Sequence, residues 1–228
     1  MLSAAESAAL LLSLSVAARS VAFNLPFAIL VAWLLTRTRF AGRTVFDAFV
    51  HLPLVLPPVV VGYLLLVLFG VRGPIGGWLH DRFGIQLAFT STGAALATAV
   101  MSFPLVVRSI RISLEALDRG LEDAAATLGA GPLDRFFSIT LPLIAPGILA
   151  GAVTAFSAGL GEFGAVITFA ANIPGETRTL PLALYTAIQT PNGDALAARL
   201  AFISFSLGLA GLLAAEVLAR RLRRMLGR

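Results

Sequence analysis

LIAPGILAGAVTAFSAGLGEFGAVITF, residues 143–169, holds a single charged side chain, Glu162, in 27 positions. A helix needs about 20 mostly apolar residues to cross a bilayer core, so this stretch is long enough to span. Four more stretches pass the same test: 9–35, 50–69, 93–110 and 196–218. Residues 180–188 are apolar but too short, and predict an interfacial or re-entrant helix. The first stretch can also be divided at Ser20 into two short helices, so the expected count is five to six spans. Hydrophobic residues make up 58% of the 228, charged residues 13%, and mean hydropathy is +0.91. So few charges could not cover the surface of a soluble enzyme. Disorder and collagen are excluded despite 21 Gly and 12 Pro, because both need polar or periodic composition. A β-barrel would show alternating strands of about ten residues. The fold class is therefore an all-α polytopic membrane protein.

Charge sets the orientation. Every basic residue is Arg and the net charge is +5. Arg37, Arg39 and Arg43 fall in the first connection, and Arg108, Arg111, Arg119 and Arg135 between the third and fourth stretches. Arg220, Arg221, Arg223, Arg224 and Arg228 form the tail. Five spans put all of these on one side, which the positive-inside rule makes cytoplasmic. The N-terminus is then outside and the C-terminus cytoplasmic. No nucleic-acid partner is needed to explain the basic surplus. The first stretch lacks a positively charged lead and a small-residue cleavage site, so no cleavable signal peptide is expected. Pro53, Pro57 and Pro58 are expected in the first turns of the second span, and Pro142 and Pro146 at the start of the fourth. Pro26 and Pro104 lie inside spans.

The one long cytoplasmic connection, 108–141, carries five acids: Glu115, Asp118, Glu122, Asp123 and Asp134. Residues 121–128 predict a short helix, with Glu122 and Asp123 in its first turn, alanines in its body and Gly129 at its stop. Pro132 then opens a second short helix through Phe136, Phe137 and Ile139. Isolated helices this short are marginal, so its own bundle or a partner must hold them.

Asp123-Ala124-Ala125, then Gly129, Ile139 and Leu141-Pro142, resemble the signature of ABC importer permease subunits, whose pattern is Glu-Ala-Ala, a Gly four residues on, and Ile-x-Leu-Pro. Six of the seven fixed positions match at the right spacing. Asp123 in place of Glu keeps the charge and shortens the reach. The resemblance continues over nearly the whole chain. His51 to Tyr63, Met101-Ser102-Phe103-Pro104, Gly161-Glu162-Phe163-Gly164-Ala165, Asn172 to Thr179 and Tyr185 to Pro191 are similar to molybdate permeases; sulfate and tungstate permeases share parts of them. The resemblance implies a type I importer transmembrane domain, one domain over 1–228 with 108–141 as its coupling loop, in a bacterial inner membrane. It implies ATPase coupling through Glu122, Asp123, Ala124, Ala125 and Gly129. It also implies a homodimer, two copies of a cytoplasmic ABC ATPase and an extracytoplasmic molybdate-binding protein, which residues 172–179 would meet. Transport would follow alternating access, with no cofactor on this chain.

An oxyanion route needs hydrogen-bond donors, and an ionisable group at membrane depth is a functional hypothesis. The polar groups expected along a pathway or gate are Arg19, Asn24, Ser102, Ser157 and Glu162, with Thr98 nearby. Arg19 has two readings, a side chain snorkelling to the outer leaflet or a cation beside the route. Glu162 would repel an anion, so pairing with an Arg or capping a helix broken at Gly159, Gly161 and Gly164 suits it better. Gly147 and Gly151 suit close helix packing. There is no phosphate loop and no Lys, so the chain has no P-loop ATPase site. His51 and His80 fall on opposite sides, and no metal site is expected. Alternatives are a sulfate or tungstate cargo, or an ion-driven secondary transporter, which would show repeated halves and paired intramembrane acids.

Overall fold

The computed structural model describes residues 3–225, and Arg228 of the tail lies outside them. Among the described residues the secondary structure is helical throughout. The first stretch is one helix, α1 (Ala4–Arg37), running without a break past Ser20 and Pro26. Its start is fixed by a capping box, in which Ser3 Oγ accepts from the Glu6 amide and the Glu6 carboxylate accepts from the Ser3 amide. α5 (Ser91–Glu115) is longer than the expected 93–110, so Arg111 lies on a helix and not in a free loop. Thr90 caps it by accepting from Gly93 N at 3.0 Å.

Two expected spans are interrupted. The second, 50–69, is split into α2 (Arg43–Val55) and α3 (Pro58–Phe69), which bend by 115° across Leu56 and Pro57. Pro53 sits inside α2; the break comes from the next two prolines. Neither has an N–H to donate, and Pro58 forces Pro57 out of the helical region, to φ −55° and ψ 133°. The 12 residues of α3 rise about 18 Å, short of a full crossing alone. The fourth span also differs from 143–169. It starts earlier, with α7 (Pro132–Arg135) and a π-helical turn (Phe136–Thr140) running into α8 (Leu141–Leu160), and Pro146 lies within α8 rather than at its start. It ends at Leu160, where Gly161, Glu162 and Phe163 leave helical geometry before α9 (Gly164–Ala170). Among the described residues four helices are long and apolar enough to cross, or five if the bent α2–α3 pair is one span.

The remaining elements are α4 (Pro74–Phe83), α6 (Arg119–Thr127), α10 (Leu180–Gln189) and α11 (Asp194–Met225). α1, α5 and α8 pack together along their lengths, and α11 packs on α8 and α10. The core has a cytoplasmic cluster around Ala28, Leu35, Val107, Ile110 and Ile144, an opposite cluster around Val16, Val61, Ala97, Val166 and Phe169, and a third around Ala9, Leu180, Ala187 and Leu200. The α5–α8 seam is close because Gly147 and Gly151 face it. A Cβ on Gly147 would fall 2.0 Å from Ser113 Oγ, and one on Gly151 would sit 3.1 Å from Ser109 Cβ. Ser109 Oγ donates to Gly147 O at 2.9 Å across this seam. Phe202, Phe205, Leu209 and Leu212 form an exposed stripe on α11, as expected for a helix solvated by lipid.

Candidate functional site

α6 projects from the cytoplasmic ends of α5 and α8. Asp118 caps it, its Oδ1 accepting from Gly120 N at 2.9 Å. Gly129 stops it at φ +90°, a left-handed conformation that a Cβ disfavours. The helix has two unlike faces. Glu122 and Ala125, three residues apart, are half-buried and turn toward the membrane domain, whereas Leu121, Asp123, Ala124 and Leu128 are exposed. Leu128 is 88% exposed, a large apolar side chain with no cover from its own chain.

Glu122 is the tether. Its carboxylate pairs with Arg37 Nη2 at the end of α1 (3.3 Å) and accepts from Thr140 Oγ1 in the π-helical turn (2.5 Å). Arg135 Nη1 donates to Glu122 O at 3.5 Å. One side chain thus joins α6 to the entry of α8 and the exit of α1. Of the five residues expected to couple to an ATPase, Glu122 faces inward; Asp123, Ala124 and Gly129 lie on the exposed surface, and Ala125 is intermediate.

The five polar groups expected along a pathway are not gathered in one place. Asn24 and Ser102 meet at the α1–α5 seam, buried: Asn24 Nδ2 donates to Ala99 O (2.9 Å) and Ser102 Oγ (3.0 Å), and Ser102 Oγ donates to Thr98 O (2.8 Å). Asn24 also edges an apolar groove of about 460 Å³ between α1, α2 and α5. Arg19 is half-exposed, donating from Nε to Ser15 O (3.3 Å) and from Nη1 to Ser91 Oγ at the start of α5 (3.4 Å). Ser157 Oγ is buried without a bond, facing the position a Cβ on Gly211 would take. Glu162 Oε1 accepts from Ala165 N at 2.9 Å in the first turn of α9, without an Arg partner in the described structure.

Three polar clusters go beyond the sequence reading. Glu6, almost fully buried, is paired with Arg199 of α11, a contact between residues 193 apart that no local pattern signals. Ser13 Oγ accepts from Leu180 N at 2.7 Å, fixing the start of α10 against α1. At the cytoplasmic end of α5, Arg111 Nη1 donates to both Asp47 carboxylate oxygens (2.8 and 2.9 Å), and His51 Nδ1 lies 3.1 Å from Asp47 Oδ1. This pairing links α2 to α5. The segment 172–179 is folded on itself: Arg178 Nε donates to Asn172 Oδ1 and Asn172 Nδ2 to Thr186 Oγ1, both at 2.8 Å.

A bundle of broken and unbroken spans, with a short exposed helix presented at its cytoplasmic end, defines a transporter membrane subunit. The profile of the family described as "Binding-protein-dependent transport system inner membrane component" matches residues 24–224, and the chain belongs to that family. It is accordingly an inner-membrane protein. It is 60% identical to the molybdenum transport system permease protein ModB of Escherichia coli K12, over 98% of this chain and 97% of the relative. It is 54% identical to ModB of Haemophilus influenzae, over 97% of each. Identity to the sulfate transport system permease protein CysT of Escherichia coli K12 is 44%, over 73% of this chain and 60% of that one. The fold matches a bacterial alginate ABC transporter chain at TM-score 0.76 and 18% identity, covering 96% of this chain and 80% of that chain. It also matches the inward-facing MetNI methionine ABC transporter at TM-score 0.71 and 17% identity, covering 94% of each.

Proposed function

We propose that the chain is the transmembrane subunit of an ATP-driven ABC importer that moves molybdate into the cytoplasm by alternating access. The observation that carries this reading is the 60% identity to a molybdenum permease across 98% of the chain. The exposed Asp123 and Ala124 of α6 support the mode of energy coupling. Sulfate is the second reading, favoured by the 44% identity to CysT over a shorter span.

In this reading residues 1–228 form one permease domain and 108–141 its coupling loop. Two chains form a homodimer, since four or five crossings are few to enclose a route. Two cytoplasmic ATPase copies supply the hydrolytic site, which this chain lacks. Asp123, Ala124 and Gly129 touch the ATPase, while Glu122 carries the movement of α6 into α1 and α8 through Arg37 and Thr140. An extracytoplasmic binding protein delivers the anion near the self-bonded loop 172–179. Along the route we assign the half-exposed Arg19 as the cation. Asn24 and Ser102 shape the α1–α5 seam, Ser157 packs toward α11, and Glu162 holds the α8–α9 break as a gate element.

The test is uptake of labelled molybdate by proteoliposomes containing this chain, its ATPase and the binding protein. Uptake should need ATP and all three proteins, and excess sulfate should compete weakly. Uptake that persists without the ATPase and follows an ion gradient would support secondary transport instead. Uptake of sulfate in preference to molybdate would keep the class and change the cargo.

A further inference from the structure

A groove of about 630 Å³ opens between the cytoplasmic half of α1 and the segment that follows α6. Pro26, Leu30, Trp33 and Arg37 line it from α1. They recur every three or four residues and so form one helix face. Phe136 and Phe137 line the opposite wall. From Arg37 to Pro26 is eleven residues of continuous helix, about 16 Å at 1.5 Å per residue. That matches one leaflet of a hydrocarbon core about 30 Å thick. The groove therefore has the depth of a single acyl chain, with Trp33 at the level where aromatic side chains favour the membrane interface.

Its charged end carries Arg37, Arg119 and Arg135, with Glu122 and Asp123 also on the rim. Glu122 is already engaged by Arg37 and Thr140. The Nε groups of Arg37 and Arg135 are buried and have no acceptor, and the Arg37 side chain is only 10% exposed. With Glu122 taken by Arg37, Arg119 and Arg135 have only Asp123 opposite them on the rim, so this end keeps a net positive charge that an anionic group would neutralise. A phosphate ester accepts from several guanidinium donors at once.

We propose that this groove is a specific site for one anionic phospholipid of the cytoplasmic leaflet. Its phosphate lies at Arg37, Arg119 and Arg135, and one acyl chain runs along Pro26, Leu30 and Trp33. A zwitterionic lipid would bring an ammonium group to the same guanidinium cluster. The ATPase is a poorer occupant: of the residues assigned to it only Asp123 reaches the groove rim, while Ala124 lies with Leu121 and Leu128 on the exposed face that points away from Glu122. The inference rests on the membrane topology and is independent of the cargo.

The test is native mass spectrometry of the complete complex, chain plus ATPase, in mild detergent with phosphatidylglycerol or phosphatidylcholine added. One phosphatidylglycerol per copy of the chain should survive delipidation, in preference to phosphatidylcholine. Loss of two basic contacts in an Arg119→Gln/Arg135→Gln variant should weaken that preference about 30-fold. Leu30→Trp narrows the apolar wall with the arginines intact and should lower retention of both lipids. Co-purified ATPase confirms that each variant is assembled. Equal retention of the two lipids, or an unchanged preference in the double arginine variant, overturns the proposal. So does displacement of the lipid by millimolar inorganic phosphate, which marks a free-anion site. Binding only after the ATPase is stripped away also overturns it, by showing that the ATPase covers the groove. Molybdate uptake failing on its own account leaves these outcomes unchanged.

Discussion

The α1–α5–α8 seam and the α6 node both place polar groups in an apolar protein, and they do so differently. In the seam Asn24, Ser102, Thr98 and Ser109 each have partners on neighbouring helices or their own backbone. At the node Glu122 is satisfied, but two arginine Nε groups are not, and the outer face of α6 is bare. Satisfied polar groups between membrane helices act as adhesive. Groups with spare donors and uncovered apolar neighbours are the ones proposed above to meet partners, so the contrast separates residues that hold the fold from residues assigned to those proposals.

The largest effect should come from breaking the seam sterically. Gly147→Leu puts a side chain where Ser113 Oγ already stands 2.0 Å from the ideal Cβ. The same Cβ would meet Ser113 Cβ at 2.6 Å and the Ser109 carbonyl oxygen at 3.0 Å, so the cost should exceed the ~1–3 kcal/mol of ordinary overpacking, and the yield of monodisperse protein in detergent should fall severalfold. Next is the node. Glu122→Ala leaves the nearly buried Arg37 without its counter-ion, a change worth about 3 kcal/mol where a buried pair is split. Molybdate moved per ATP hydrolysed should drop sharply, and α6 should become open to limited proteolysis. Arg37→Gln with Glu122→Gln removes both charges and should recover protection of α6. Asn24→Leu should be milder, costing about 1 kcal/mol for the lost interhelical bonds. It should lower thermal stability in detergent while uptake survives; uptake lost with stability retained would move Asn24 into the pathway. Smallest is Ser157→Ala. This removes a buried hydroxyl that makes no bond, so stability should change by no more than about 0.5 kcal/mol and uptake should hold. A large loss of uptake would show that Ser157 Oγ faces the anion.

How legible each region was in the sequence follows from how local its cause is. α6 was legible in the main, from an acid in its first turn, alanines through its body and Gly129 at its stop. It runs 119–127 rather than 121–128, however: Asp118 caps it two residues earlier and Asp123 falls beyond the first turn. The seam was partly legible through Gly147 and Gly151. The break between α2 and α3 is a different case. Single prolines near a helix start are tolerated, which makes Pro53, Pro57 and Pro58 read as a helix beginning. The consecutive Pro57-Pro58 pair was the available signal, because it removes two donors in a row and restricts Pro57 as well. Gly161 and Gly164 likewise marked where the fourth span ends. The inward turn of Glu122 was hidden, since the apolar stripe of α6 (Leu121, Ala124 and Leu128) is its exposed face, and burying that stripe by the usual rule would turn Glu122 outward. The Glu6–Arg199 pair was hidden for another reason: it joins opposite ends of the chain.

In the proposed mechanism α6 passes ATPase movement to the membrane helices of a molybdate importer. Its most direct test is the ATPase activity of the assembled complex in lipid, with molybdate-loaded binding protein, for the wild type beside an Ala124→Arg/Gly129→Arg variant. The loaded binding protein should stimulate the wild type and fail to stimulate the variant, even though the variant chain remains folded in the bilayer. Equal stimulation of both proteins would contradict it.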